Sequence, residues 1–587
     1  MDRALDLPEI LAVVSHFLPR ADLLTCLRVC KAWKSQLEPR LWRTFRYNDL
    51  DARPPSEALI NQNAKHVRVL SVEADSSNFP TAFFDEGANL RDFTLYKRRS
   101  DHHHEDLQWS DVLTRMISNN PHLQRIAFRV NRNNSLGNLV PTPELMRCLG
   151  ACSNLEFLET SEMYHGKASD AVTELYMRAS TNGVKHLCTI GELFSTTFTF
   201  PNDLVFKNVQ LLEMKDIMGM TNDTQLTWIS RCPNLTSFRW STGMDIPVER
   251  FINIIPSACP HLVELHFAAA LSDSEIAQIL EPFQRIEKLS MLGTLFGKVA
   301  LQNLKPHFST LLDINLQSST SVTGALVHEI LCSCPNLRTI RADKMSNLDM
   351  PKQEMWICNK LRHFDVGLYV TDHADRAVYK RLAQLTELEY LSVRSPNSAA
   401  QIRDEDDEDE DDEDEDDPGI PISVSLDAGL GELKTLKRLQ EFSCKKLLNI
   451  TFRTSGAFKV VEWMVKNWPS LERLEAVLGS EFNSRRREEI AIDKIMALLK
   501  KSDIKYLHYE EDEDEDEDDD RSSFEEYGYD SDWINSEQAH QMVYYELPAA
   551  GSSPPDYDTY DPDCGGMPEF DGFRDSDEAN YWDPDLY

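Results

Sequence analysis

A short apolar motif, L-x-x-L-x-Φ with Φ apolar or small, recurs through the middle of the chain. Its clearest copies follow Cys-Pro pairs and span residues 235–240, 262–267 and 337–342. Weaker copies begin at Val67, Leu90, Leu123, Leu155, Val184, Val209, Ile286, Leu311, Leu361, Leu388, Leu439, Leu471 and Ile504. Between Val184 and Leu388 they recur about every 25 residues, a period typical of stacked repeats. Each repeat can then bury its apolar side only against its neighbours.

Alternation within each motif predicts one short strand per repeat, and the intervening segments carry helical patterns. In the copy at 235–240 we expect Leu235, Phe238 and Trp240 in the core, with Ser237 and Arg239 on the opposite face. The pattern resembles the cysteine-containing leucine-rich repeat over roughly residues 60–509. That resemblance implies an α/β fold: a curved solenoid with parallel strands on its concave face. A degenerate repeat is expected around residues 422–424.

Four apolar motifs occur in order within the first 50 residues: Leu7-Pro8-Glu9-Ile10-Leu11, Asp22-Leu23-Leu24, Val29-Cys30-Lys31-Ala32-Trp33 and Leu41-Trp42. Pro8 suits the first position of a helix, and Pro19 ends that helix. Asp22 can cap a second helix. Three short helices in about 40 residues bury little apolar surface, so such a module gains stability by packing on a partner.

This run resembles an F-box near residues 3–47, preceding the solenoid. The resemblance implies docking to the Skp adaptor and, through it, to cullin and RING subunits of a ubiquitin ligase. It assigns adaptor contact to Leu7, Pro8, Ile10 and Leu11. It assigns supporting roles to Leu23, Leu24, Val29 and Trp33.

The net charge of −37 is concentrated in two places. Residues 404–417 are all acidic, and residues 510–587 begin with 11 consecutive acids and continue with a further excess of acids. Removing these segments leaves a nearly neutral body. Blocks of like charge repel and remain solvated, so we predict a disordered loop at 404–417 within the solenoid and a disordered tail at 510–587.

Several classes of function find no support in the sequence. There is no 18-residue apolar stretch and no signal-peptide pattern, so we expect no membrane association and a cytoplasmic and/or nuclear protein with reduced thiols. No phosphate loop, nucleophile elbow or zinc-protease motif occurs, so we expect neither catalysis nor a cofactor. The histidines at 102–104 lack a matching ligand cluster, so no metal site is expected. A dense basic stripe, typical of nucleic-acid binding, is also missing.

The third and fifth motif positions should line the concave face, where this kind of repeat usually binds its partner. They mix charges, sizes and polarities, which favours a protein target. The predicted contact residues are Arg239, His266, Asn315, Arg341 and Tyr390.

The sequence favours a non-catalytic substrate receptor that holds an unidentified protein for ubiquitination. Two alternatives remain open. One is an interaction scaffold that binds the adaptor but promotes no ubiquitination. The other is a binder of basic proteins that acts through the acidic segments.

Overall fold

The computed structural model of the chain describes residues 8–48, 55–74, 83, 89–97, 106–130, 142–161, 175–176, 178–179, 182–190, 204–217, 220–242, 246–350, 355–371, 374–393, 420–444, 454–476 and 485–508. The acidic segments predicted at 404–417 and 510–587, and the histidines at 102–104, lie outside these residues.

Strands recur along the described part of the chain. They are β1 Thr44–Asn48, β2 Val69–Ala74, β3 Asp92–Lys97, β4 Arg125–Val130, β5 Phe157–Ser161, β6 His186–Ile190, β7 Leu211–Lys215, β8 Ser237–Ser241, β9 Glu264–Ala268, β10 Lys288–Leu292, β11 Asp313–Leu316, β12 Thr339–Ser346, β13 His363–Val370, β14 Tyr390–Ser392, β15 Ile420–Pro421, β16 Glu441–Cys444, β17 Arg473–Ala476 and β18 Lys505–His508.

Helices separate many of these strands. They are α1 Pro8–Ser15, α2 Arg20–Cys26, α3 Lys31–Leu41, α4 Glu57–Asn63, α5 Asp106–Asn119, α6 Pro143–Ala151, α7 Asn222–Ser230, α8 Val248–Ala258, α9 Asp273–Leu280, α10 Lys298–Leu304, α11 Gly324–Ser333, α12 Asp375–Leu382, α13 Thr454–Asn467 and α14 Arg485–Lys501, with 3-10 turns at Ala64–His66, Lys305–His307, Asn347–Asp349 and Leu430–Thr435.

The strands form one parallel sheet in chain order, which confirms the predicted solenoid. Each strand from β1 to β14 pairs in parallel with the next, and β14 then pairs with β16, β16 with β17, and β17 with β18. Strand β15 pairs antiparallel with the end of β13 instead. The segment at 422–424 therefore adds buried side chains beside the sheet, but it does not form the parallel repeat strand that its apolar pattern suggested.

The alternation of the motif sets the register. Leu235, Phe238 and Trp240 are fully buried, as predicted, and their counterparts in the other repeats extend the same core from Phe45 to Ile504. The first and third residues of each parallel strand lie on the other side of the sheet. We call this side the strand face; it is the face that the sequence predicts to be concave.

The Cys-Pro pairs mark the junctions between repeats. Asn234 and Asn336, which follow two of these pairs, donate side-chain hydrogen bonds to the backbone carbonyls of Lys207 and Ser309 in the preceding repeats, at 2.7 and 2.8 Å. The thiol of Cys259 donates to carbonyl oxygens of the preceding repeat, including that of Cys232 at 3.4 Å. These side chains therefore tie each repeat to the backbone of the one before it.

Candidate functional site

The three N-terminal helices have a small core of their own. Leu11, Leu23 and Leu37 are buried together, and Trp33 packs against them. This cluster is separate from the core of the solenoid. The structure therefore places Leu11 and Leu23, both predicted to take part in adaptor binding, inside the module, where they hold its helices together.

An apolar surface covers the outside of α1, α2 and the turns that follow them. Phe17 is 82% exposed, Val29 61% and Val13 59%. Ile10, Val14 and Leu24 are also exposed. We call these six side chains the apolar docking face. Four of them, Ile10, Val13, Val14 and Phe17, recur at three or four residues and so lie along one side of α1 and its terminal turn.

The predicted adaptor contacts fall into three groups. Ile10, Leu24 and Val29 lie on the apolar docking face, and Pro8 is exposed at the start of α1. Leu11, Leu23 and Trp33 contribute to the core, and Leu7 lies outside the described residues. The sequence reasoning did not predict Val13, Val14 and Phe17 as contacts. A second apolar stripe on the same helix was the available signal, because one small core cannot bury both sides of α1.

The module continues directly into the sheet. Helix α3 ends at Leu41 and strand β1 begins at Thr44, well before the predicted start of the solenoid at residue 60. Trp42 packs on Phe45 of β1 with 5.3 Å between ring centroids, and Phe45 is buried in the solenoid core. Trp42, directly after α3, thus packs on the first strand of the solenoid.

Charged side chains of the strand face pair with one another across neighbouring strands. Arg129 donates two hydrogen bonds to the carboxylate of Glu159, at 2.7 and 3.0 Å, and a third to the hydroxyl of Tyr96 at 3.1 Å. Further along, Nη1 of Arg239 lies 3.3 Å from Oε2 of Glu213. The charges here are largely satisfied within the sheet, which fits a mixed polar surface better than a strongly basic or acidic one.

The predicted target-contact residues differ in accessibility. Arg239, His266, Arg341 and Tyr390 are partly exposed on the strand face, whereas Asn315 is only 2% exposed. Asn315 instead accepts a hydrogen bond from the backbone N–H of Gln317 at 3.1 Å and shapes the turn after β11. The ring of Tyr390 stacks on His363 with 4.0 Å between centroids.

Burial shifts the pKa of two groups on this face. It lowers the pKa of His266 to about 3, with the nearby positive charges of Arg239 and Lys215 acting in the same direction. Burial also raises the pKa of Asp313 to about 6, although Arg341 and Lys288 oppose this shift. At neutral pH, His266 is therefore an uncharged polar group and Asp313 is a carboxylate held in an unfavourable environment.

Among the described residues, no cluster of three or more His, Cys, Asp or Glu side chains has the arrangement of a metal site. In the same part of the chain, no helix is both long and apolar enough to cross a membrane.

Comparison with known proteins identifies the N-terminal module. Residues 6–48 match the F-box-like family model, and the helices of the apolar docking face lie within this range. No curated protein matches the chain. Among solved structures, the chain is similar to one described as the crystal structure of the Rad7 and Elc1 complex in yeast. The identity is 13%, the match covers 68% of this chain and 86% of that one, and the TM-score is 0.38.

Proposed function

We propose that this chain is a non-catalytic substrate receptor of a cullin-based ubiquitin ligase. Its F-box-like helices would bind an adaptor of the Skp type, and its strand face would hold the target protein. The observation that carries the proposal is the apolar docking face, which lies on a module that matches the F-box-like family over residues 6–48.

The exposure of this face favours a protein partner. Three large apolar side chains that are more than half exposed lie within 17 residues of one another on a module with a small core. Exposed apolar side chains that lie along one helix face, as Val13 and Phe17 do, form the kind of patch that marks interaction sites on soluble proteins. Burying them against an adaptor would contribute about 25 cal/mol for each Å² of apolar surface removed from water. Part of this gain offsets the entropy that the two proteins lose on association.

The short connection between α3 and β1 supports the delivery of a target. Helix α3 ends at Leu41, β1 begins at Thr44, and Trp42 packs on Phe45 between them, so an adaptor bound to the F-box-like module would be a short chain distance from the first repeat. A target bound there would experience a raised effective concentration of the ligase. We propose Arg239, His266, Arg341 and Tyr390 as contacts for that target, with Asn315 supporting the strand face from below. Such a role would place the chain in the cytoplasm and/or nucleus.

Adaptor capture tests the proposal. The purified full chain is mixed with a recombinant Skp adaptor, and the complex is quantified by pull-down and calorimetry. We expect the double variant Val13→Ser/Phe17→Ser to bind at least about tenfold more weakly, because two apolar contacts are removed from the interface. The matched control is Leu295→Ser/Val299→Ser, which changes two exposed apolar residues of the solenoid. This control should bind like the wild type.

A parallel experiment with Elc1 tests the choice of adaptor. Binding to Elc1 but not to Skp would keep the receptor role and replace the adaptor. Binding to neither protein would overturn the proposal. An equal loss of adaptor binding in both double variants would show that the binding is non-specific and hydrophobic, which would also overturn the proposal.

A reconstituted ubiquitination assay distinguishes a substrate receptor from an interaction scaffold and from a binder of basic proteins. A receptor should transfer ubiquitin to a partner that co-purifies with the strand face, whereas a scaffold should bind the adaptor without transfer. A chain lacking 404–417 and 510–587 should still bind that partner. Loss of partner binding in this deletion variant would instead support a binder of basic proteins that acts through its acidic segments.

A further inference from the structure

A cysteine, a histidine and a tryptophan are connected in the helical layer of the solenoid, on the opposite side from the strand face. His328 and Cys332 lie one turn apart on α11, so their side chains meet. The sulfur of Cys332 is 3.4 Å from Nε2 of His328. On the other side of the ring, Nε1 of Trp356 donates a hydrogen bond to Nδ1 of His328 at 3.1 Å.

This arrangement determines which ring nitrogen of His328 carries the proton. An indole N–H can only donate, so Nδ1 must act as the acceptor. A neutral imidazole that accepts at Nδ1 carries its proton on Nε2, which faces Cys332. The Nε2–H group therefore points at the sulfur and can donate to it. Such a bond is stronger to a thiolate than to a thiol, because the acceptor is then charged.

The neighbouring cysteines, Cys334 and Cys358, are not exposed to solvent as Cys332 is. Cys334 and Cys358 are buried, and burial raises the pKa of each thiol to about 12. They therefore remain protonated and unreactive at physiological pH. Cys332 is partly exposed. This partial exposure gives a small reagent access that the two buried thiols lack.

We propose that Cys332 is a site of reversible oxidation by a peroxide, with His328 as the residue that positions and stabilises the reactive thiolate. The thiolate attacks one peroxide oxygen, a sulfur–oxygen bond forms and the oxygen–oxygen bond breaks. The sulfur is oxidised by two electrons to a sulfenic acid. The peroxide is reduced, and its leaving oxygen takes up a proton to become water or an alcohol. A thiol reductant restores the cysteine.

The test compares two cysteines within the same folded chain. The full protein is treated with hydrogen peroxide in the presence of dimedone, which traps sulfenic acids, and each cysteine peptide is quantified by mass spectrometry. Cys148 is the matched comparator, since it is also partly exposed, lies on a helix and contacts the hydroxyl of Ser118 at 3.1 Å. We expect Cys332 to be trapped about tenfold faster than Cys148. Equal or slower trapping of Cys332 would overturn the proposal.

The role of His328 is tested by its own variant. His328→Leu fills the same buried site without a donor, so trapping of Cys332 should fall to the rate of Cys148. An unchanged ratio in a folded variant would overturn the assignment of His328.

A second measurement needs no variant, in case the leucine disturbs the fold. The rate of alkylation by iodoacetamide is followed against pH for both cysteines of the wild type. Cys332 should reach half of its maximal rate at a lower pH than Cys148. Coincident profiles would show that Cys332 has no special environment.

Discussion

At the scale of single residues, charged side chains on the strand face form ion pairs with one another. Glu159 is only 1% exposed, and its two bonds to Arg129 replace the water that burial removed. A buried pair of this kind adds little net stability, but the loss of one partner leaves a charge without compensation. Arg239 is 20% exposed and paired less closely, with Glu213. It can exchange this partner for a group on a target with less disruption than Arg129.

Asp313 is compensated less fully: Arg341, Lys288 and a hydrogen bond from Thr339 favour its carboxylate, but burial outweighs them. Its replacement by asparagine should therefore stabilise the protein at neutral pH. Its pKa is about 6 in the folded chain, above the ordinary value of 3.8. Between these two values ionisation favours the unfolded state, so the wild type loses stability as pH rises from about 4 to about 6. Above pH 6, we expect Asp313→Asn to be more stable by roughly 1–3 kcal/mol, a difference that should vanish near pH 4.

Urea unfolding at a series of pH values measures this effect. Asp223→Asn provides the control, because it changes a carboxylate that is 57% exposed on α7. The control should shift stability by a small amount that does not follow the same pH profile. A variant at Asp313 with no gain at pH 7 would show that the strand face accommodates this charge.

At the scale of the elements, helices are capped by residues from other repeats as well as by their own. Asp273 begins α9, yet its carboxylate accepts hydrogen bonds from the backbone N–H groups of Gly297, Val299 and Ala300 at 2.8–2.9 Å. These groups lie at the start of α10 in the next repeat. A Cβ atom at Gly297 would lie 2.7 Å from Oδ2 of Asp273, so glycine is what permits this close approach.

Asp273→Ala should therefore destabilise α10, whose N–H groups it binds, more than α9, in which Asp273 lies. Three N–H groups would lose a charged acceptor, and we expect a loss of about 2 kcal/mol. Ser272→Ala is the matched control, because Ser272 caps α9 alone, through a bond from the N–H of Glu275. Hydrogen exchange should show faster exchange in α10 for the first variant and in α9 for the second. Equal effects on α9 in both would contradict a cap between repeats.

Features set within one repeat could be predicted from the sequence, whereas features that depend on contacts between repeats could not. The strand register was predictable, because alternation in L-x-x-L-x-Φ determines which side of a strand is apolar. The cap from Asp273 was not, since its partners lie 24 to 27 residues away and no local pattern marks them. Asn315 was assigned correctly to its strand position, but the motif does not mark its burial or its hydrogen bond with the N–H of Gln317 after the strand. The strand at Phe45 was missed because the sequence around it belongs to the F-box-like match.

At the scale of the whole solenoid, the sheet runs through the repeats, but each repeat contacts mainly its neighbours. An aromatic cluster joins β8, β9 and the helix between them: Phe251 lies 5.6 Å from Phe267 and 6.4 Å from both Phe238 and Trp240, measured between ring centroids. A second, distant cluster centres on Phe442 and Trp468, with centroids 5.2 Å apart. In such an array, stability is approximately a sum of repeat and interface contributions.

A substitution in one aromatic cluster should therefore reduce the stability of the adjacent repeats only. Phe251→Ala removes a fully buried ring and should cost about 3–5 kcal/mol locally. Hydrogen exchange followed by mass spectrometry should then show lost protection around β7 to β10 and retained protection in β16 and β17.

The variant Phe442→Ala should instead lose protection in β16 and β17 and retain it around β7 to β10. Each variant therefore serves as the control for the other. Uniform loss of protection in both would mean that the solenoid unfolds as one cooperative unit. A local response would mean that a destabilised repeat near the middle of the strand face can impair target binding while the F-box-like helices remain folded and able to hold an adaptor.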